Sequence, residues 1–68
     1  MEEARKSDLI DIAMVEHHRT ARALLASDDG DSRTAVWLPL SRIEIEPQRD
    51  GTVIVTMPED LAVQKGLV

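Results

Sequence analysis

The sequence predicts an antiparallel β segment over residues 33–57 closed by a short C-terminal helix. Three observations point there. Arg42-Ile43-Glu44-Ile45-Glu46 alternates charged and apolar residues with period two, the pattern of a strand with one buried face. Thr52 to Met57 centres on Val53, Ile54 and Val55, β-branched residues that favour a pleated surface. Asp29-Gly30 and Asp50-Gly51 are turn dipeptides, since glycine supplies the positive φ that a tight turn needs.

Taken in order, residues 1–8 are charged and nearly devoid of apolar side chains, so a frayed start or a short helical turn is expected. Residues 9–27 admit two readings. At helical spacing Ile10, Ala13, Met14, His17, Ala21, Leu24 and Leu25 share one stripe, and local propensity favours that helix. At strand spacing Ile10, Ile12 and Met14 alternate, a polar turn follows at residues 16–20, and Ala21 to Ala26 forms a second strand. On a helix Leu24 and Leu25 would be buried together, whereas on a strand one of them faces away. Residues 28–32 form a turn, Thr34 to Leu38 a short strand, and Pro39 interrupts the ladder for want of an N–H. After the strand at 52–57, Pro58 suits the first helical position, and Glu59 and Asp60 complement the positive end of the helix dipole. Lys65 belongs to the last turn, Gly66 stops the helix, and Leu61 and Leu67 anchor it.

Sixty-eight residues make one small domain, residues 9–68, behind a flexible start. Apolar residues are 43% of the chain, Trp37 is its only aromatic, and there is no cysteine to form a disulfide or a thiolate site. A core this small makes a protein partner or a homodimer attractive. Thirteen acidic residues against eight basic give a net charge of −5, which disfavours direct contact with nucleic acid phosphates. No apolar stretch is long enough to span a membrane and no signal-like core follows the first charges, so a cytoplasmic location is expected.

The stretch Trp37-Leu38-Pro39-Leu40-Ser41-Arg42-Ile43-Glu44, then Val55 to Ala62 and Lys65-Gly66-Leu67, resembles a group of small proteins of phages and mobile elements. Their pattern runs W-[LVI]-P-x-S-x-[IV], an acidic spacer, and a strand ending in [VI]-P-[ED]-W-L-A-x-x-K-G-[LI]. The resemblance covers about residues 19–68. Asp60 stands where the group usually has Trp, and Leu40 where Lys is common, so aromatic and basic character are both reduced. The resemblance implies two strands within residues 9–27. The architecture it implies is mainly β: a five-stranded antiparallel meander curling into a small SH3-like or OB-like barrel with a short C-terminal helix. The alternative is an α+β layer, with a helix over residues 8–26 packed on a three-stranded sheet.

The chemistry-bearing residues point away from catalysis. Glu16-His17-His18 lacks the three or four convergent ligands of a zinc site, and the histidines read as surface residues at a turn. Asp28-Asp29-Gly30-Asp31 lacks the closing glutamate of a calcium loop, so no metal and no cofactor is expected. Glu44 and Glu46 lie about 7 Å apart on one strand face. They would serve acid–base chemistry only in a concave pocket, which so short a chain has little material to build. The expectation is a non-enzymatic, acidic anti-defence inhibitor, anti-CRISPR-like, that binds a host effector with a basic surface. Its contact residues would be Asp28, Asp29, Asp31, Glu44, Glu46 and Trp37, the three aspartates projecting from a hairpin tip. Trp37 reads first as core filling and second as a partner contact. The alternative function is an accessory nucleic-acid-binding barrel of a phage replication or recombination cluster, served by Arg19, Arg22, Arg33, Arg42 and Arg49.

Overall fold

The computed structural model describes residues 8–68. The frayed or helical start expected for residues 1–8 therefore lies, Asp8 apart, outside the described residues. Five strands follow: β1 (Leu9–Arg19), β2 (Ala23–Ser27), β3 (Val36–Pro39), β4 (Glu44–Pro47) and β5 (Val53–Pro58). One helix, α1 (Glu59–Gln64), comes after them, and single 3-10 turns at Ser32–Thr34 and Leu40–Arg42 flank β3.

Residues 9–27 are thus two strands, and the helical alternative over 8–26 is overturned. The deciding pair behaves as strand geometry demands: Leu24 is fully buried and Leu25 only half-buried. Tertiary pairing has overridden local propensity.

All five strands are antiparallel and form one sheet, in the order β3-β2-β1-β5-β4. This is not a simple meander, because β3 and β4 follow one another in sequence yet lie at opposite edges. The junction is β1. Its residues Leu9 to Met14 pair with Pro58 to Val53 of β5, and Val15 to Arg19 pair with Ser27 to Leu24 of β2. The register slips between Glu16 and His18, a bulge that lets one long strand serve both halves. The polar run 16–19, expected as a turn, is therefore strand. Its charges are matched in place, with Arg19 Nε and Nη2 donating to Glu16 at 3.1 and 2.8 Å. The turn sits later, where Thr20 Oγ1 accepts from the N–H of Arg22 and Ala23 at 3.2 and 3.0 Å.

Pro39 and Glu44 are five residues apart, yet a flat sheet would hold β3 and β4 about 19 Å from each other at the usual strand spacing. An extended chain of that length reaches only about 17 Å, and the 3-10 turn at Leu40–Arg42 shortens it further. The sheet must therefore roll around its apolar face. That face holds Met14, Leu24, Ala26, Leu38, Val53, Val55 and Met57, and α1 adds Leu61 and Ala62. The core is aliphatic throughout.

Both free edges are blunted. The N–H of Leu40 donates to Arg22 C=O at 2.8 Å and that of Gln48 to Thr52 C=O at 2.9 Å. Counting back in twos, the N–H groups of Leu38, Val36, Glu46 and Glu44 point into the sheet. The outward positions are Trp37 and Pro39 in β3 and Ile45 and Pro47 in β4. Pro39 does not end its strand, as expected from sequence, but pairs with Ala23 at a position where no donor is lost.

The remaining boundaries move by a residue or two. Asp31 caps the turn at Ser32–Thr34, so the Trp strand begins at Val36 and not at Thr34. Pro58 is the N-cap of α1, one position before the helix proper, and Lys65 is its C-cap. Gly30 and Gly51 hold φ of +82° and +92°, as the two Asp-Gly turns require.

Candidate functional site

Trp37 is on the outside. Alternation along β3 turns Leu38 fully inward opposite Leu24, so Trp37 must face away opposite Leu25. The reading of Trp37 as core is overturned, because a four-residue strand can bury only one of these two neighbours and the aliphatic core already closes around Leu38. Trp37 remains 44% exposed. His18 pairs with Leu25 on the other side, so His18, Leu25 and Trp37 form one row across β1, β2 and β3. The His18 and Trp37 rings meet edge to face, with centroids 6.2 Å apart and planes at 89°.

The histidines are thus in strand β1 and not at a turn. His17 Nε2 and Ser27 Oγ are hydrogen-bonded at 2.8 Å. Ser27 is fully buried, so this bond provides for a hydroxyl that water cannot reach. Among the described residues no three His, Asp or Glu side chains gather as metal ligands do.

The hairpin-tip aspartates divide. Asp29 Oδ1 accepts the Asp31 N–H at 2.9 Å and the Thr34 hydroxyl at 2.7 Å. Asp31 accepts the Arg33 N–H at 2.9 Å and the Arg33 guanidinium at 3.2 and 3.0 Å. Both carboxylates are spent on shaping their own loop, and Arg33 offsets the charge of Asp31. Asp28 is exposed beside them. Across the molecule Glu44 and Glu46 stand exposed on β4, with Ile45 between them turned to the core. Glu44 pairs with Thr56 and Thr56 with Asp11, and the Thr56 hydroxyl donates to Asp11 at 2.6 Å. Asp11, Thr56 and Glu44 are therefore a second outward row, on the half of the sheet opposite the Trp37 row. Neither row was recognised from sequence, since each depends on which strands pair.

The arginines are dispersed. Arg19 is held by Glu16, Arg33 by Asp31, and Arg42 Nη2 lies 3.4 Å from Asp60. Arg22 lies in the β1–β2 turn and Arg49 in the β4–β5 turn. Asp50 shapes the latter, accepting the Thr52 hydroxyl at 2.7 Å and its N–H at 3.0 Å.

These loop bonds set the acid response. The Thr34 hydroxyl and then the Asp31 N–H hold Asp29 below the ordinary aspartate value. The Arg33 side chain and then its N–H do the same for Asp31, and the Thr52 hydroxyl and N–H for Asp50. A carboxyl whose pKa is lower folded than unfolded stabilises the fold above its unfolded value and loses that contribution as pH falls through the folded one. The turns are therefore expected to loosen below about pH 4, the ordinary aspartate value. Circular dichroism followed from pH 7 to pH 2 checks this. D29N and D50N should flatten the acid limb, and an unchanged limb would show that these bonds add no pH dependence.

Comparison with known protein families, with curated proteins and with solved structures found no match for this chain.

Proposed function

We propose that this chain is a non-enzymatic protein-binding module of a phage or mobile element. The observation that carries the reading is the outward placement of Trp37, the only aromatic of the chain, in a row with Leu25 and His18. A solvent-facing indole beside an aliphatic neighbour is the side-chain type that dominates protein interfaces. In its concrete form the module is an acidic, anti-CRISPR-like inhibitor acting in the host cytoplasm on a nucleic-acid-processing effector. The rolled sheet serves as a small SH3-like or OB-like barrel that holds the contact residues rigid. Trp37 anchors the partner, and Glu44, Glu46 and Asp28 attract its basic surface, an arrangement that speeds encounter more than it adds affinity. The net charge of −5 and the resemblance to phage proteins support this setting.

Capture from a host lysate with the tagged chain, followed by titration with the captured protein, tests the reading. W37A should weaken binding by about 2 kcal/mol or more, roughly 30-fold. E44K/E46K should slow association and reduce its dependence on salt. Asp29 and Asp31 are poor positions for charge reversal because their loss would also rebuild the loop. Unchanged affinity in W37A would remove Trp37 from the site. A low-salt mobility shift with single-stranded DNA, abolished by W37A, would replace the protein partner with nucleic acid. Light scattering establishes whether the module acts as a homodimer.

A further inference from the structure

His18 is the titratable neighbour of Trp37. The strands between and beside them, Ala23–Ser27 and Val36–Pro39, contain no ionisable side chain. On its own strand, Glu16 and Arg19 are bound to each other and His17 is hydrogen-bonded to Ser27. Arg22 lies in the β1–β2 turn, and Asp31, paired with Arg33, is near enough to His17 to interact with it electrostatically. The imidazole thus faces an indole across Leu25, with no carboxylate hydrogen-bonded to it among the described residues.

We propose that His18 is a proton-sensitive positioning residue for Trp37, so that acidification clamps the indole against β1. The inference rests on the reading of Trp37 as the partner contact. Imidazole is the side chain that changes charge between pH 5 and 8. Uncharged, it offers the indole a weak edge contact. Charged, it is drawn onto the electron-rich indole face as any cation is. The clamped pose covers one indole face, and that face is withdrawn from a partner, so binding through Trp37 weakens on acidification.

The chain has one Trp and no Tyr or Phe, so its intrinsic fluorescence reports this residue alone. Emission intensity and acrylamide quenching of the full chain are measured from pH 8 to pH 5, with circular dichroism at each pH to establish that the fold persists. Wild type and H17Q should lose intensity on acidification and become less accessible to acrylamide. H18Q should be flat in both. The indole N–H resonance of wild type should move over the same pH range, which gives a reading independent of any variant. A flat wild-type titration, or a transition retained in H18Q, overturns the proposal. The two readings fail separately. A flat titration removes the clamp and leaves partner binding intact, whereas partner binding unchanged in W37A removes the binding site and leaves the titration.

Discussion

Leu24→Ala is expected to bring the fold close to unfolding, while Leu25→Ala, one residue away, leaves it nearly intact. Leu24 is fully buried opposite Leu38, among Met14, Val55 and Met57. Truncating such a leucine costs about 2–5 kcal/mol, from lost transfer energy and the cavity left behind. A domain of this size has about 3–10 kcal/mol in total. With a urea slope of about 1 kcal/mol/M, the midpoint should fall by about 2 M or more. Leu25 faces outward beneath Trp37 and His18, so its truncation should cost about 1 kcal/mol or less. Equal losses at the two positions would contradict the strand assignment of residues 23–27. Paired measurement makes the contrast independent of the absolute stability.

The second large effect is expected at His17. Ser27 is the only buried polar residue among those described, and His17 is its side-chain partner. His17→Leu keeps most of the volume but strands the hydroxyl, at a cost of about 1–3 kcal/mol. Ser27→Ala in that background removes the orphaned group and should restore much of the loss. Ser27→Ala alone should cost less than His17→Leu, because His17 is half-buried and can turn to water. Urea midpoints of the four proteins complete the double-mutant cycle. Additive effects would mean that the 2.8 Å contact carries no coupling.

Local patterns made β4, β5 and the helix end legible, because each is written in a few adjacent residues. Ile43 and Ile45 alternate, Val53 and Val55 are buried as their strand requires, and Gly66 ends the helix at φ +76°. The identity of pairing partners was not legible. Nothing in Ile10, Ile12 and Met14 says that they lie against Met57, Val55 and Val53, since every apolar alternating strand offers the same face. The extension of β1 through Glu16 and Arg19 was hidden for a related reason: charges that look like a turn are at home in a strand when they pair with each other. Trp37 misled through its size, which suggests a core residue. The face it takes was fixed by the register of Leu38 against Leu24. Of the acidic candidates, Glu44 and Glu46 face outward as alternation implies. The commitment of Asp29 and Asp31 to their loop depends on Thr34 and Arg33, whose placement follows from a 3-10 turn at Ser32–Thr34 that straddles the expected turn at 28–32 and the expected strand start at Thr34.

Pro39 and Pro47 set how this protein behaves among copies of itself. With an imino acid at one of the two outward positions on each edge, β3 offers the strand N–H of Trp37 and β4 that of Ile45. Two molecules meeting edge to edge can then exchange about two backbone hydrogen bonds, at about 0.5–1.5 kcal/mol net each. Association costs an estimated 4–15 kcal/mol in lost freedom of motion, so such a pair falls apart. Mutual repulsion between chains of charge −5 also keeps them separate, but salt screens it within about 10 Å at 0.1 M. The missing donors are indifferent to salt. Resistance to fibre growth is thus built into the covalent structure of two residues, and it persists in concentrated or saline solution where charge no longer protects.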